Sequence, residues 1–280
     1  MGTLYLVATP IGNLEDITPR ALRTLREVAL IAAEDTRHTG RLLARFGIDT
    51  PMISYHAFNE RSRRERLLAA LAEGDVALVT DAGTPGVADP GRDVVEAAFH
   101  AGYRVSPIPG PSALTAAISA SGLIDGPFLV LGFLPRAGRE RKHALGRAAT
   151  SGAPVVLFEA PGRLVSTLRE LAALLGNRTA VVARELTKLH EDIRRDSLLN
   201  LAAAYDEEGV KGEIVIVVDG ADNENEGTTS AEDPVAVVAA LLRSGLKPSE
   251  AAREAAKLTG LPRSQLYELA RNPPETSEKS

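Results

Sequence analysis

Three Gly- and Pro-rich stretches each follow a short apolar run: Ala8-Thr9-Pro10-Ile11-Gly12-Asn13 after the run from Leu4, Asp81-Ala82-Gly83-Thr84-Pro85-Gly86 after Val76–Thr80, and Pro109-Gly110-Pro111-Ser112-Ala113 after Arg104–Ile108. Glycine and proline let backbone N–H and C=O groups come close to a ligand while holding the loop rigid. One such loop is equally well a plain turn, but three at the carboxyl edge of one sheet describe a small-molecule site. None continues as Gly-Lys-Ser/Thr and none matches G-x-G-x-x-G, which sets aside ATP hydrolysis and hydride transfer. Two charged groups also follow strands: Glu34-Asp35-Thr36-Arg37-His38, and Arg184, Glu185, Lys188 and Glu191. Both hold side chains able to take a proton or face a forming negative charge, and both fit structural ion pairing equally well. Of the five histidines, His38 and His190 are open to a general-base reading, while His56, beside Tyr55 and Phe58, fits a packed loop. No two neighbouring histidines have metal-ligand spacing and there is no cysteine, so no metal is expected and no disulfide or thiolate chemistry is available.

The elements that must position these loops alternate along the chain. Apolar, β-branched runs stand at Leu4–Thr9, Val28–Ala33, Val76–Thr80, Arg104–Ile108, Phe128–Leu131, Val155–Phe158, Ala180–Ala183 and Ile214–Val218, with helical stretches between them. That order predicts an α/β fold. Runs apolar on both faces, such as Ile214–Val218, predict strands of a parallel or mixed sheet covered by helices on either side. Thr18-Pro19 supplies a hydroxyl cap and a first-turn proline for one helix, and Asn59 is expected to cap the Arg-rich one that follows it.

The expected organisation is an N-terminal α/β domain over 1–122, a second over 123–220, an acidic flexible linker over 221–232, a helical module over 233–272 and a disordered tail over 273–280. The linker expectation rests on six acids and no base between Asp219 and Asp233, in a stretch with little apolar surface to bury. Without those six, the net charge of −5 would become +1. Basic clusters stand at Arg61, Arg63, Arg64 and Arg66 and at Arg136, Arg139, Arg141, Lys142 and Arg147, open to phosphate contacts or to a solvated helix face. The three short helical stretches of the module read either as a helix-turn-helix with Arg263, Ser264, Gln265 and Tyr267 outward, or as a helical cap packed on a neighbour. The longest apolar run, Val235–Leu242, is far short of the roughly 20 residues that span a bilayer, so no membrane partner and a cytoplasmic location are expected.

Several of these stretches resemble the tetrapyrrole-methylase-like methyltransferases, and within them the branch that methylates ribosomal RNA: Leu4–Thr18, Ala33–Thr39, Val79–Gly91, Ile108–Ala113, Leu157–Arg163 and Ala183–Lys188, with Gly212-Glu213. The C-terminal helical extension of that branch is similar to 233–271. The resemblance implies a two-domain tetrapyrrole methylase-like fold with a helix-turn-helix-like module, and S-adenosyl-L-methionine bound between the two α/β domains. It also implies a homodimer, and methylation of a cytidine ribose 2′-hydroxyl near the decoding centre of small-subunit rRNA, either free or in the assembled 30S subunit. Carried over position by position, the cofactor residues are Pro10, Asp81, Ala82, Thr84, Ser112, Ala113 and Phe158. Where the tetrapyrrole branch usually carries Gly-Asp-Pro this chain has Asp81-Ala82-Gly83-Thr84-Pro85, and Ala8-Thr9-Pro10-Ile11-Gly12 replaces Gly-x-Gly-Pro-Gly. Both departures point away from a porphyrin-type substrate.

A ribose hydroxyl is a poor nucleophile, so transfer to it needs alignment, an acceptor for its proton and positive charge near the forming alkoxide. Glu34 or Asp35 is expected as the acceptor and Arg37 or Lys188 as the electrostatic partner. The alternatives are methylation of a tetrapyrrole or other small metabolite, and a non-enzymatic helix-turn-helix regulator whose α/β part senses a ligand.

Overall fold

The fold is given by a computed structural model that describes residues 2–57, 59–87, 89–221 and 234–272. The tail expected over 273–280 and all but residue 221 of the expected linker lie outside the described residues. The chain divides into two units, one formed by the residues up to Ala116 with Leu186–His190, the other by Ala117–Glu185 and the described residues from Glu191 onward.

In the first unit the alternation of apolar runs and helical stretches becomes β1 (Thr3–Val7), α1 (Pro19–Glu27), β2 (Leu30–Ala33), α2 (Thr36–Arg45), β3 (Met52–Ser54), α3 (Glu60–Glu73), β4 (Val76–Val79), α4 (Arg92–His100) and β5 (Arg104–Ile108). The strands form one parallel sheet in the order β3-β2-β4-β1-β5. Residues on one face, including Val7, Ile31, Ala33 and Val79, pack with Ala21 and Leu25 of α1 and Leu42 and Leu43 of α2. On the other face Leu4, Ala32 and Leu78 pack with Leu67 and Leu71 of α3 and Val94 and Ala98 of α4. Burial on both faces is why these strands read as unbroken apolar runs rather than as alternation. Each fully buried leucine contributes roughly 1.5–3 kcal/mol.

Thr18 caps α1 as expected, its hydroxyl accepting from the Ala21 N–H at 3.1 Å with Pro19 in the first turn. Asn59 does not cap α3. Its side-chain oxygen instead accepts from the His56 N–H at 2.8 Å and its amide reaches Ser54, so it closes the turn before the helix. β3 was not legible as a strand, being three residues long at the sheet edge.

The second unit contains β6 (Leu129–Phe133), α6 (Gly138–Ser151), β7 (Val155–Glu159), α7 (Leu164–Leu175), β8 (Thr179–Arg184), β9 (Asp192–Ser197), α8 (Leu198–Glu208) and β10 (Ile214–Val218), after the helix α5 (Ala113–Ser121) that begins in the first unit. Its sheet is mixed, in the order β6-β7-β10-β8-β9: β6 runs parallel to β7, and β10 runs antiparallel to β7 and β8. The core gathers Val155, Leu157, Ala180, Val182, Ile214 and Ile216 against leucines of α6, α7 and α8. β9, Asp-Ile-Arg-Arg-Asp-Ser, is an edge strand whose charges keep that edge from pairing further, and they also hid it from a reading by apolar runs.

The helical module consists of α9 (Pro234–Arg243), α10 (Pro248–Thr259) and α11 (Arg263–Arg271) around Val237, Leu241, Leu246, Ala252 and Leu266. It is also packed against α6 of its own unit. Gly146 of α6 admits α9 closely, for a Cβ there would stand 3.1 Å from Ser244 Oγ and 3.2 Å from a Leu241 methyl. Lys142 Nζ donates to the Gly245 carbonyl at 3.1 Å, and Arg139 pairs with Glu250 at 3.5 Å. Much of the second basic cluster is therefore structural. Arg141, 8% exposed, bonds to Glu170, Thr167 and the Pro135 carbonyl and is not available to phosphate. Arg263, Ser264, Gln265 and Tyr267 are exposed on α11. Among the described residues no helix is long and apolar enough to cross a membrane.

Candidate active site

Because the first sheet is wholly parallel, the loops after β1, β2, β4 and β5 all leave its carboxyl edge. They are laced to one another by backbone bonds. Thr9 and Gly83 exchange two, N to O at 2.9 Å and 3.0 Å, and the Ala8 N–H donates to the Ile108 carbonyl at 3.2 Å. Thr84 Oγ1 donates to the Pro111 carbonyl at 3.4 Å, tying the second loop to the third. Gly83 holds φ +80°, which disfavours any L side chain, and a Cβ at Gly110 would approach Ala8 Cβ to 3.0 Å. Pro10, Ala82, Thr84, Ser112 and Ala113 are thus held on one bonded scaffold. Ser112 closes the third loop onto α5, accepting at its carbonyl from the Ala116 N–H at 3.0 Å.

The end of β2 joins this scaffold through carboxylates. Glu34 Oε2 accepts from the Asp81 N–H at 3.3 Å, and Asp81 Oδ1 accepts from the Asp35 N–H at 3.1 Å. Burial pushes Glu34 above the usual carboxylate range, and the nearby charges of Asp81 and Asp35 add to that effect against the Asp81 hydrogen bond. Asp89, on the same loop as Asp81, is pushed up to about 6 by burial first and then by Glu34 and Asp81. Asp35 differs. It caps α2, accepts from the Arg37 backbone and holds the Arg37 guanidinium by two bonds at 3.1 and 2.8 Å, which keeps its carboxyl well below the usual range. Arg37 is 86% exposed with its charge turned to Asp35.

Lys188 lies across the first loop. A Cβ at Gly12 would collide with Lys188 Cγ and stand 3.1 Å from the Leu186 carbonyl, so the absence of a side chain at Gly12 is what lets the lysine stem lie there. The backbone leading to it is held in uncommon conformations, with φ +52° at Glu185 and +66° at Thr187. In the second unit, the Glu185 side chain accepts from the Glu213 N–H at 2.9 Å, over Gly212, where a Cβ would collide with it. This bond gives a structural use to the Gly212-Glu213 pair.

Phe158 belongs to the second unit, partly buried near the end of β7, with its ring 5.2 Å from that of Phe133. The residues after it are structural: buried Glu159 accepts from Thr167 Oγ1 and the Ala160 N–H, both at 2.7 Å, and pairs with Arg163. Of the residues expected to act, the structure therefore brings Pro10, Glu34, Asp35, Arg37, Asp81, Ala82, Thr84, Ser112, Ala113 and Lys188 into the first unit, on laced loops or beside them. His38 and His190 are exposed, and the His56 ring nitrogen contacts the Asn59 amide at 3.2 Å. Sequence reasoning missed three features: Asp89, whose significance needs its burial; Gly12, whose neighbour is distant in the chain; and Thr80, whose buried hydroxyl finds no hydrogen-bond partner among the described residues. Among the described residues no cluster of His, Cys, Asp and Glu is suited to a metal ion.

This arrangement suits a cofactor such as S-adenosylmethionine. Glycine-opened backbone, the Thr84 and Ser112 hydroxyls, the orphaned Thr80 Oγ1 and the Asp81 carboxylate offer polar partners for an amino-acid moiety, a ribose and an adenine edge.

Loops of this kind on a parallel sheet, joined to a mixed second sheet, define the tetrapyrrole (corrin/porphyrin) methylases, whose family model matches residues 3–202. A model described as the RsmI C-terminal HTH domain matches residues 228–271. Over 272 residues the chain is 49% identical to ribosomal RNA small subunit methyltransferase I of Synechocystis sp., covering 96% of this chain and 98% of that one. It is 45% identical over 221 residues to the protein of the same name from Thermotoga maritima, covering 79% of this chain and 99% of that shorter one. Among solved structures it is similar to uroporphyrin-III C-methyl transferase from Thermus thermophilus complexed with S-adenyl homocysteine, at TM-score 0.54 and 19% identity, covering 78% of this chain and 97% of that one. The chain belongs to the tetrapyrrole methylase family and, within it, to the ribosomal RNA small subunit methyltransferase I family.

Proposed function

We propose that this protein is an S-adenosylmethionine-dependent methyltransferase that modifies the ribose 2′-hydroxyl of a cytidine near the decoding centre of small-subunit rRNA, in the cytoplasm and as a homodimer. The observation that carries the reading is the scaffold of three laced loops with carboxylates and a lysine at its rim, in a chain of this family. When bound, the cofactor supplies an electrophilic methyl group on a positively charged sulfur. Pro10, Asp81, Ala82, Thr84, Ser112, Ala113 and Phe158 are its binding residues in this reading.

The remaining work is done by the chain's own groups. Glu34 is the better proton acceptor of the two adjacent carboxylates, because burial raises its proton affinity while Arg37 keeps Asp35 a weak base. Lys188 is the better electrostatic partner of the two cations, because its stem is seated across the first loop at Gly12 while Arg37 is 86% exposed. Asp35 and Arg37 act as a clip that shapes the start of α2. The sequence departures from the tetrapyrrole branch in the first two loops weigh against a porphyrin-type acceptor. The helical module, seated on α6, extends the surface available to rRNA through α11. The Thermotoga relative is shorter than this chain by about the length of residues after 221, which supports placing the chemistry in the α/β units.

The test offers the protein labelled S-adenosylmethionine with either small ribosomal subunits from cells lacking the native enzyme or a uroporphyrinogen. Label in the rRNA and none in the tetrapyrrole is expected; the reverse would overturn the reading.

A further inference from the structure

Phe133 is 58% exposed, yet the fold fixes it with unusual care. β6 pairs with β7 in parallel register at Leu129 and Val130, opposite Val155 and Val156, and then shifts by one residue so that Gly132 meets Leu157 and Phe133 meets Phe158. In an uninterrupted ladder Gly132 would face Phe158, and Phe133, one position on, would point to the opposite side of the sheet. The shift is a bulge, and it is made where Gly132 holds φ +64°, a conformation that disfavours any L side chain. Its effect is to turn Phe133 onto the face of Phe158, with ring centroids 5.2 Å apart and planes inclined by 34°. The next two residues are pinned: the Leu134 carbonyl accepts from Arg163 at 3.0 Å and the Pro135 carbonyl from buried Arg141 at 3.1 Å.

None of this serves the hydrophobic core of the unit, which takes Leu129 and Leu131 from β6 and Val155 and Leu157 from β7 but not Phe133. A rigid ring held open beside a second ring offers a flat π-surface at little entropic cost on binding. The chain spends few aromatics elsewhere, having six Phe, five Tyr and no Trp. Arg136, exposed, follows three residues on and adds a positive charge to the same stretch of chain.

We propose that Phe133, backed by Phe158 and aimed by the Gly132 bulge, is a stacking platform for an unpaired nucleotide of the rRNA substrate. The inference rests on the rRNA methyltransferase reading and deepens it. Sequence-specific and non-specific RNA contacts alike use unstacked bases laid on aromatic rings, and the competing occupant, the cofactor's adenine, is an outcome of the test.

The absence of tryptophan makes a direct test available, since Phe133→Trp in the full chain installs a single indole. Its emission is followed while S-adenosylhomocysteine, or separately a short unpaired cytidine-rich RNA oligonucleotide, is added. Saturable quenching by the RNA is expected; quenching by S-adenosylhomocysteine alone would assign the ring to the cofactor and overturn the proposal. Phe133→Leu then loses roughly tenfold in affinity for the RNA, the order expected for one stacked base, while Phe133→Tyr stays within about twofold of the parent protein. Gly132→Ala, which leaves both rings in the sequence but opposes the bulge, shows the same loss as Phe133→Leu. Unchanged emission with both ligands, together with an unaltered affinity in Phe133→Leu, would overturn the platform. So would a change of oligomeric mass in Phe133→Leu without quenching in Phe133→Trp, which would mark the ring as a protein contact. Failure of the underlying reading looks different: the parent protein would transfer no methyl group to ribosomal subunits, whatever the indole reports.

Discussion

The carboxylate of Glu34 accepts a hydrogen bond from the backbone N–H of Asp81 at 3.3 Å, while Asp81 in turn accepts from the residue after Glu34 at 3.1 Å. This reciprocal pair ties the end of β2 to the loop after β4, so the proposed proton acceptor and the proposed cofactor loop cannot move independently. Removing the Asp81 carboxylate both deletes a polar partner for the cofactor and releases the Asp35 N–H. Asp81→Ala is expected to weaken S-adenosylhomocysteine binding about tenfold or more, the order of one lost charge-assisted hydrogen bond. Calorimetry showing an unchanged Kd would refute the assignment.

Asp89 gives a pH signature. Its carboxyl titrates near 6 in the folded chain against an ordinary value of 3.8. A raised carboxyl contributes stability that is complete below its unfolded value and is lost as pH rises through the folded one. At pH 8 the charge is therefore carried at a cost, about 1 kcal/mol once solvent screening at this half-buried group is allowed for. Asp89→Asn is expected to raise Tm at pH 8 by roughly 2–4 °C and to leave it unchanged near pH 4. Thermal melts at the two pH values decide the matter; equal shifts at both would contradict it.

Lys188 and Gly12 form a second pair whose coupling can be measured. Lys188→Ala is expected to lower kcat on ribosomal subunits on the order of a hundredfold, as loss of one transition-state partner does, with cofactor Kd little changed. Gly12→Ala places a methyl group where the lysine stem lies, in collision with its Cγ, and should lower kcat in the same direction. In the Lys188→Ala background its effect should be clearly smaller, because the stem it would displace is gone and only the Leu186 carbonyl, 3.1 Å from the added methyl, still has to give. Additive losses would show that Gly12 acts on something else.

Gly146 is the contact through which α9 sits on α6. Gly146→Val, which has no room beside Ser244 and Leu241, should cost about 1–3 kcal/mol through overpacking and expose the module to limited proteolysis. It should also reduce turnover on subunits as deletion of residues 222–280 does, both variants keeping full cofactor affinity. Undiminished rRNA methylation by the deletion variant would show that the module has no part in holding substrate.

Much of the α/β frame was legible because its central strands are buried on both faces and therefore continuous in apolar, β-branched residues. β9 was not, because an edge strand is specified by what it must refuse to pair with, and its Asp and Arg residues look like a loop. The Asn59 cap failed for a related reason: the same side chain suits a helix start or a turn, and His56, three residues back, supplied the competing donor. At the site, the Gly-Pro loops announced themselves locally, and the resemblance named the residues on them. The unequal roles of Glu34 and Asp35 could not be read from adjacency, since burial distinguishes one and Arg37 the other. Arg141 shows the limit from the opposite side, as a basic residue in an apparent phosphate patch that is buried on Glu170 and Thr167. Phe133 needed the strand register, which depends on a one-residue shift that leaves no mark in the sequence beyond Gly132.

The most direct test of the central claim is to react the protein with labelled S-adenosylmethionine and small ribosomal subunits from cells lacking the native enzyme, and then to map the labelled nucleotide by nuclease digestion. The account predicts a single cytidine near the decoding centre carrying the label on its ribose 2′-oxygen. Label on a base, or no transfer to subunits or free rRNA while the cofactor still binds, would contradict it.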